Sequence, residues 1–205
     1  DRSLVMEFIA DLEGLQRLYG TPGQAAQIKV MHSLIPSYRA FLERSRFCVL
    51  TTVGPGGTDG SPRGDEGPVV AILDAQTLAL PDWRGNERID SLTNIVLDGR
   101  VSLMFLIPGS SLAMRVNGTA RLTEDATLRD RFRRGEARPR TVIVIAIAEV
   151  YPQCARAVMR SQLWSGDQSD GLPTLGQMLS EVSSGAFDGA TYDAEWQGRA
   201  EKTMW

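Results

Sequence analysis

Two short stretches carry the residue types that recognise phosphate. Asp59-Gly60-Ser61-Pro62-Arg63-Gly64-Asp65 and Leu80-Pro81-Asp82-Trp83-Arg84-Gly85-Asn86-Glu87-Arg88-Ile89-Asp90 each set an arginine beside glycine and small polar residues. A guanidinium bonds two oxygens at once, glycine lets backbone N–H groups approach an anion closely, and a helix start adds positive potential. Arg63 and Arg88 are therefore the leading anion-binding candidates. The alternative is two surface turns with solvated arginines.

Other catalytic chemistries have little to work with. His32 is the only histidine, which excludes multi-histidine metal sites and leaves a nucleophile-base mechanism a single candidate base. Cys48 and Cys154 lie far apart and form no C-x-x-C pair, so neither a disulfide framework nor a cysteine-rich metal site is expected. Both read as structural thiols in a reducing compartment, and no metal is expected. No catalytic residue can be named.

Lysine and arginine total 22 against 25 acidic residues, a net charge of −3, so no basic field attracts nucleic acid and any anionic ligand must be held locally. No apolar run approaches the roughly 18 residues that span a bilayer, and the start lacks a basic, then apolar, leader. These readings predict a cytoplasmic protein that engages neither membrane nor nucleic acid.

The elements that must position the arginines follow from periodicity. Leu4, Val5, Phe8, Ile9, Leu12, Leu15 and Leu18 space a helix over Ser3 to Tyr19, and a second helical stretch follows Pro36. Six strands are expected: Phe47–Val53, Val69–Leu73, Thr77–Leu80, Arg100–Ile107, Leu112–Leu122 and Thr141–Val150, with turn chemistry from Gly54 to Gly60. Ile89, Leu92, Ile95 and Val96 space a short helix, and Glu124 to Arg134 reads as a charged one. Beyond Tyr151 the chain is helical and polar, with apolar Leu175, Met178, Leu179, Val182, Tyr192 and Trp196 in want of a partner surface. Mostly consecutive strands with short turns favour an antiparallel barrel over a doubly wound sheet. The expectation is one mainly β (α+β) domain over 1–205, with N-terminal helices at 1–43, the barrel at about 44–152 and a helical segment at 153–205.

Several of these motifs occur together in a known family. Ser61-Pro62-Arg63-Gly64-Asp65, Pro81-Asp82-x-x-Gly85-Asn86-x-Arg88-x-Asp90-x-Leu92-x-Asn94-Ile95, Phe105-Leu106-Ile107-Pro108-Gly109, Arg115-Val116-Asn117-Gly118, Cys154-Ala155-x-Ala157 and Arg160-Ser161-x-Leu163-Trp164 closely resemble the pyridoxamine 5'-phosphate oxidase-like FMN-binding split-barrel flavoproteins. The resemblance runs in the same order from Phe47 to Trp164. It implies a six-stranded antiparallel split β-barrel with peripheral helices, which forms a homodimer and holds FMN in clefts between subunits.

By position, Arg63 with Gly64 and Arg88 would meet the FMN phosphate, Asn86 would lie beside them, and the Leu80-Pro81 backbone would contact the flavin ring. Arg115 would reach the cleft or else pair with a carboxylate. Arg160 and Trp164 would approach from the second subunit, with Trp164 otherwise a packing aromatic. Relatives often carry a histidine just before the cysteine of the Cys154 segment and a lysine two residues after it, where this chain has Gln153 and Arg156. A histidine-dependent step there is not expected. The implied function is an FMN-dependent oxidoreductase acting on an unidentified small molecule, with a nicotinamide as a candidate electron donor. The alternative from another class is a non-catalytic flavin, deazaflavin or haem carrier.

Overall fold

A computed structural model describes residues 6–205. The chain divides into two compact units, Asp1–Val30 and Met31–Trp205. The first holds α1 (Leu12–Leu18) and α2 (Gln24–Ile28). Asp11 begins α1 by accepting the Gly14 N–H at 2.7 Å, which satisfies one of the donors a helix start leaves open. The expected first helix is thus shorter than its apolar spacing suggested, and its start at Ser3 to Val5 lies outside the described residues.

The second unit opens with α3 (Pro36–Arg44) and continues through β1 (Phe47–Gly54), β2 (Gly57–Gly64), β3 (Ala71–Asp74), β4 (Thr77–Asp82), α4 (Asp90–Leu97), β5 (Arg100–Leu106), β6 (Ala113–Thr123), α5 (Ala126–Asp130) and β7 (Thr141–Gln153). The strands form one antiparallel sheet in the order β2-β1-β5-β6-β7-β4-β3. Among the described residues seven strands are present where six were expected. The additional one is β2, whose Gly57-Thr58-Asp59-Gly60-Ser61-Pro62-Arg63-Gly64 composition reads as turn. Pairing overrides propensity here: β2 forms a hairpin with β1 from Gly54↔Gly57 to Phe47↔Gly64 and lies at the sheet edge, where Pro62 removes no central ladder bond. The charged stretch at Glu124 to Arg134 yields only the short α5, capped by Asp125 accepting the Leu128 N–H at 2.8 Å.

Alternation places Cys48, Leu50 and Thr52 of β1, Val101, Leu103 and Phe105 of β5, and Met114 and Val116 of β6 inside. On β7 the inward residues are Val150 and then Ile147, Ile145 and Ile143, a change of parity that alternation alone forbids. A bulge supplies it: Asn117 pairs with Glu149 but Gly118 pairs with Ile147, so Ala148 is the extra residue. His32 Nδ1 hydrogen-bonds the carbonyl of that bulged Ala148 at 2.7 Å, which makes the only histidine a structural partner. A Cβ on Gly118 would sit 2.0 Å from the Ala146 carbonyl oxygen, so glycine is required at the turn of the bulge. A smaller cluster of Ala79, Phe132 and Val142 packs on the outer side of β4 and β7.

The chain beyond β7 forms α6 (Arg156–Ser161), α7 (Leu175–Val182) and α8 (Gly189–Lys202). Gly176 and Gly189 let α7 and α8 cross in near backbone contact, and the Asp193 carboxylate accepts the Gly176 N–H at 2.9 Å. Leu175, Met178, Val182 and Trp196 remain exposed. No helix among the described residues is long and apolar enough to cross a membrane.

Candidate functional site

β2 and β4 stand far apart in the sheet order, yet the sheet curls until their side chains meet. Arg63 Nη1 bonds Asp82 Oδ1 at 2.5 Å, and the Trp83 indole N–H donates to Asp65 Oδ2 at 2.9 Å. These two contacts, with no backbone ladder between the strands, mark the split in the barrel. A cleft of about 1200 Å³ opens along it. Clefts of about 300–1,000 Å³ suffice to bury small ligands and cofactors, so this one has room for a large one.

Arg63 projects into this cleft from β2. It stands directly opposite Cys48, and cross-strand partners share a face, so its side chain points inward. Its side chain is 17% exposed and that of Asp82 is 19% exposed. Arg63 Nε is buried and has no hydrogen-bond partner among the described residues, which leaves one donor of an otherwise engaged guanidinium unsatisfied. Burial pushes the Cys48 thiol up to about 12, and the nearby Arg63 charge only partly offsets it, so Cys48 is an inert packing residue.

Arg88 reaches the same cleft from the loop before α4. Glu87 and Ile89, on either side of it, both adopt left-handed backbone (φ 60° and 52°), which is unfavourable for side chains of their size. Asn86 shapes this loop by accepting the Arg88 N–H at 3.1 Å, a role closer to turn former than to direct ligand. The Arg88 side chain is 74% exposed and rests on Asp90 at 2.9 Å, so it is free to exchange that partner for a ligand anion.

Leu80 and Pro81 contribute backbone. The Leu80 side chain is buried in the core, while β3 pairs with β4 only from Thr77 to Ala79. From Leu80 to Asp82 the β4 backbone is therefore bonded to β7 on one side and, among the described residues, pairs with no strand on the other. Arg63, Gly64, Leu80, Pro81, Asn86 and Arg88 all line the cleft together.

Three expected residues do not join them within one chain. Arg115 faces outward from β6 with its guanidinium 5.3 Å from the centre of the Tyr151 ring. Arg160 lies exposed in the last turn of α6. Trp164 donates its indole N–H to the Ser110 carbonyl at 2.7 Å and is partly exposed. Other residues of the cleft went unpredicted, among them Arg84, Arg138, Arg140, Met204 and Trp205. Arg84 lies inside the second arginine motif, just after β4, whereas the others come from distant segments.

Asp65 ties these walls together. Its side chain is 1% exposed and accepts from Trp83, from Arg134 Nη2 at 2.8 Å and from the Gly67 N–H at 3.2 Å. Burial alone would raise its pKa, but the Arg134, Trp83 and Gly67 bonds outweigh burial and hold the carboxyl below its usual value. Among the described residues no group of three or more His, Cys, Asp and Glu could hold a metal ion.

Among curated proteins none matches the chain. Solved structures with a similar chain course include HupZ of Group A Streptococcus (17% identity, TM-score 0.48, 58% of this chain and 93% of that one). They also include General Stress Protein 26 of Bacillus anthracis (18%, 0.45, 56% and 89%) and an FMN-binding protein of Syntrophomonas wolfei (16%, 0.44, 58% and 89%). The family model described as pyridoxamine 5'-phosphate oxidase matches residues 34–154, more than half of the chain and all seven strands. The chain belongs to the pyridoxamine 5'-phosphate oxidase family.

Proposed function

We propose that this chain binds FMN in the cleft between β2 and β4 and acts, as a homodimer, as an oxidoreductase on a small molecule, with a nicotinamide as electron donor. The observation that carries the reading is Arg63: a guanidinium mostly shielded from water, with a buried N–H left over, in a cleft large enough for a flavin. An unpaired buried donor costs about 1–3 kcal/mol unless a partner arrives, and a phosphate oxygen is a suitable one.

The residues fit the cofactor piece by piece. Arg63 and Arg88 would neutralise the phosphate, and the edge of Leu80–Asp82 that β3 leaves uncovered would hydrogen-bond the polar edge of the flavin ring. FMN, when bound, supplies the two-electron redox chemistry that the side chains lack. The protein's part is to bind, orient and exclude water, so the commitment of His32 to Ala148 is no obstacle to catalysis. That commitment also disfavours a haem carrier, for which no other histidine is available.

Apolar residues on the outer face support the dimer. Phe47 and Met104 are exposed on β1 and β5, and Arg115 stands directly opposite Met104 on that same face. A second subunit covering it would bring Arg115, with Arg160 and Trp164, toward a shared site. The unpaired thiols Cys48 and Cys154 fit a reducing, cytoplasmic setting. Recording the visible spectrum of the purified protein, then adding NADPH without oxygen, tests the proposal: flavin bands that bleach support an oxidoreductase. Bands that persist with every donor tried favour a carrier, and their absence after FMN is supplied contradicts the assignment.

A further inference from the structure

We propose that Trp205 restricts this cleft to a flavin mononucleotide and refuses the dinucleotide, a reading that rests on the FMN assignment above. The contacts that fix Trp205 continue the split in the barrel. Arg63 meets Asp82 at 2.5 Å, and at the next inward step Asp65 meets the Trp83 indole at 2.9 Å. Two residues of extended chain cover about 6.6 Å, so Asp65 lies one such step beyond the cation proposed for the phosphate. Against Trp83 lies Trp205, with ring centres 5.0 Å apart at 74°, an edge-to-face pair.

The pair is locked from a second side. The Arg134 guanidinium sits 5.8 Å from the centre of the Trp205 ring and at the same time bonds Asp65 at 2.8 Å. One buried carboxylate thus orients Trp83 directly and Trp205 through Arg134. Met204 and Trp205 both border the cleft, although they follow α8 and lie far in sequence from the arginine motifs.

FMN ends at its phosphate, whereas a dinucleotide flavin carries an adenylate on that phosphate. An adenylate leaving the Arg63 end of the cleft along β2 and β4 meets the Trp83–Trp205 pair. To be accommodated it must displace Trp205 from both Trp83 and Arg134. A mononucleotide makes no such demand.

The test is equilibrium titration of FMN and of FAD into flavin-free protein, following flavin fluorescence, for the parent, Trp205→Ala and Trp205→Phe. The parent is expected to prefer FMN. Trp205→Ala should raise FAD affinity about tenfold, the upper range of one aromatic pair, and leave FMN affinity within about threefold. Trp205→Phe, which keeps a ring on Trp83, should retain most of the parent's preference. A merely structural role would weaken both flavins together and leave their ratio unchanged, which overturns the proposal. So does a parent that binds FAD as tightly as FMN. A parent that binds neither flavin instead removes the FMN assignment, and this inference with it.

Discussion

Replacing Arg63 with methionine separates its two roles. The side chain links the sheet edge to β4 through Asp82 at 2.5 Å, and both partners are less than one-fifth exposed. Breaking a fully buried pair costs about 3–5 kcal/mol because one charge is stranded. Residual water at this pair lowers the expectation to about 2–3 kcal/mol in urea unfolding of the flavin-free protein. Separately, a charge-assisted bond to phosphate contributes about 1.5–3 kcal/mol, so FMN affinity should fall roughly 10- to 150-fold. Asp82→Asn distinguishes the two effects: it too loses the ion pair and some stability, but it removes a negative charge beside the phosphate and should tighten FMN. Titration of both variants under conditions where each is folded reads this contrast. If Arg63→Met binds FMN like the parent, or if Asp82→Asn weakens FMN as much as Arg63→Met does, Arg63 does not hold the phosphate.

Further outcomes follow from the same geometry. Gly118→Ala would place a Cβ 2.0 Å from the Ala146 carbonyl oxygen, so unfolding should lose about 2–3 kcal/mol and Tm should fall by about 5–10 °C; an unchanged Tm would mean that the bulge is not fixed there. Because the Asp65 pKa is held below its unfolded value, its contribution is full above about pH 4 and is lost as pH falls further. The stability gap between parent and Asp65→Asn should accordingly shrink at acid pH, and a gap independent of pH would remove the charge from the account. In sedimentation read at the flavin band, the yellow species should run as a dimer, and yellow material at the 22.4 kDa of one chain would contradict a shared site.

The parts of the fold that were legible in the sequence are those where side chains declare their surroundings. The β-branched run of β7 and the alternation of β6 announced strands, and the Arg63 and Arg88 motifs marked two segments that line one cleft. β2 was hidden because Gly57, Gly60, Pro62 and Gly64 give it the composition of a turn, and only its hairpin with β1 makes it a strand. The bulge at Ala148 was equally invisible, since a continuous apolar run conceals a change of parity. Trp205 could not be placed at the cleft because its contacts, with Trp83 and Arg134, join it to segments far away in sequence. Arg115, Arg160 and Trp164 carry no cleft contact within one chain, so their assignment depends on a second subunit.

Titrating FMN into the flavin-free parent protein, with visible absorbance and bound stoichiometry both recorded, decides whether the cleft between β2 and β4 holds the cofactor. Saturable binding of one FMN per chain is expected, lost progressively in Arg88→Ala and Arg63→Met. Absence of saturable binding in the folded parent, or full stoichiometry at parental affinity in both arginine variants, would contradict it.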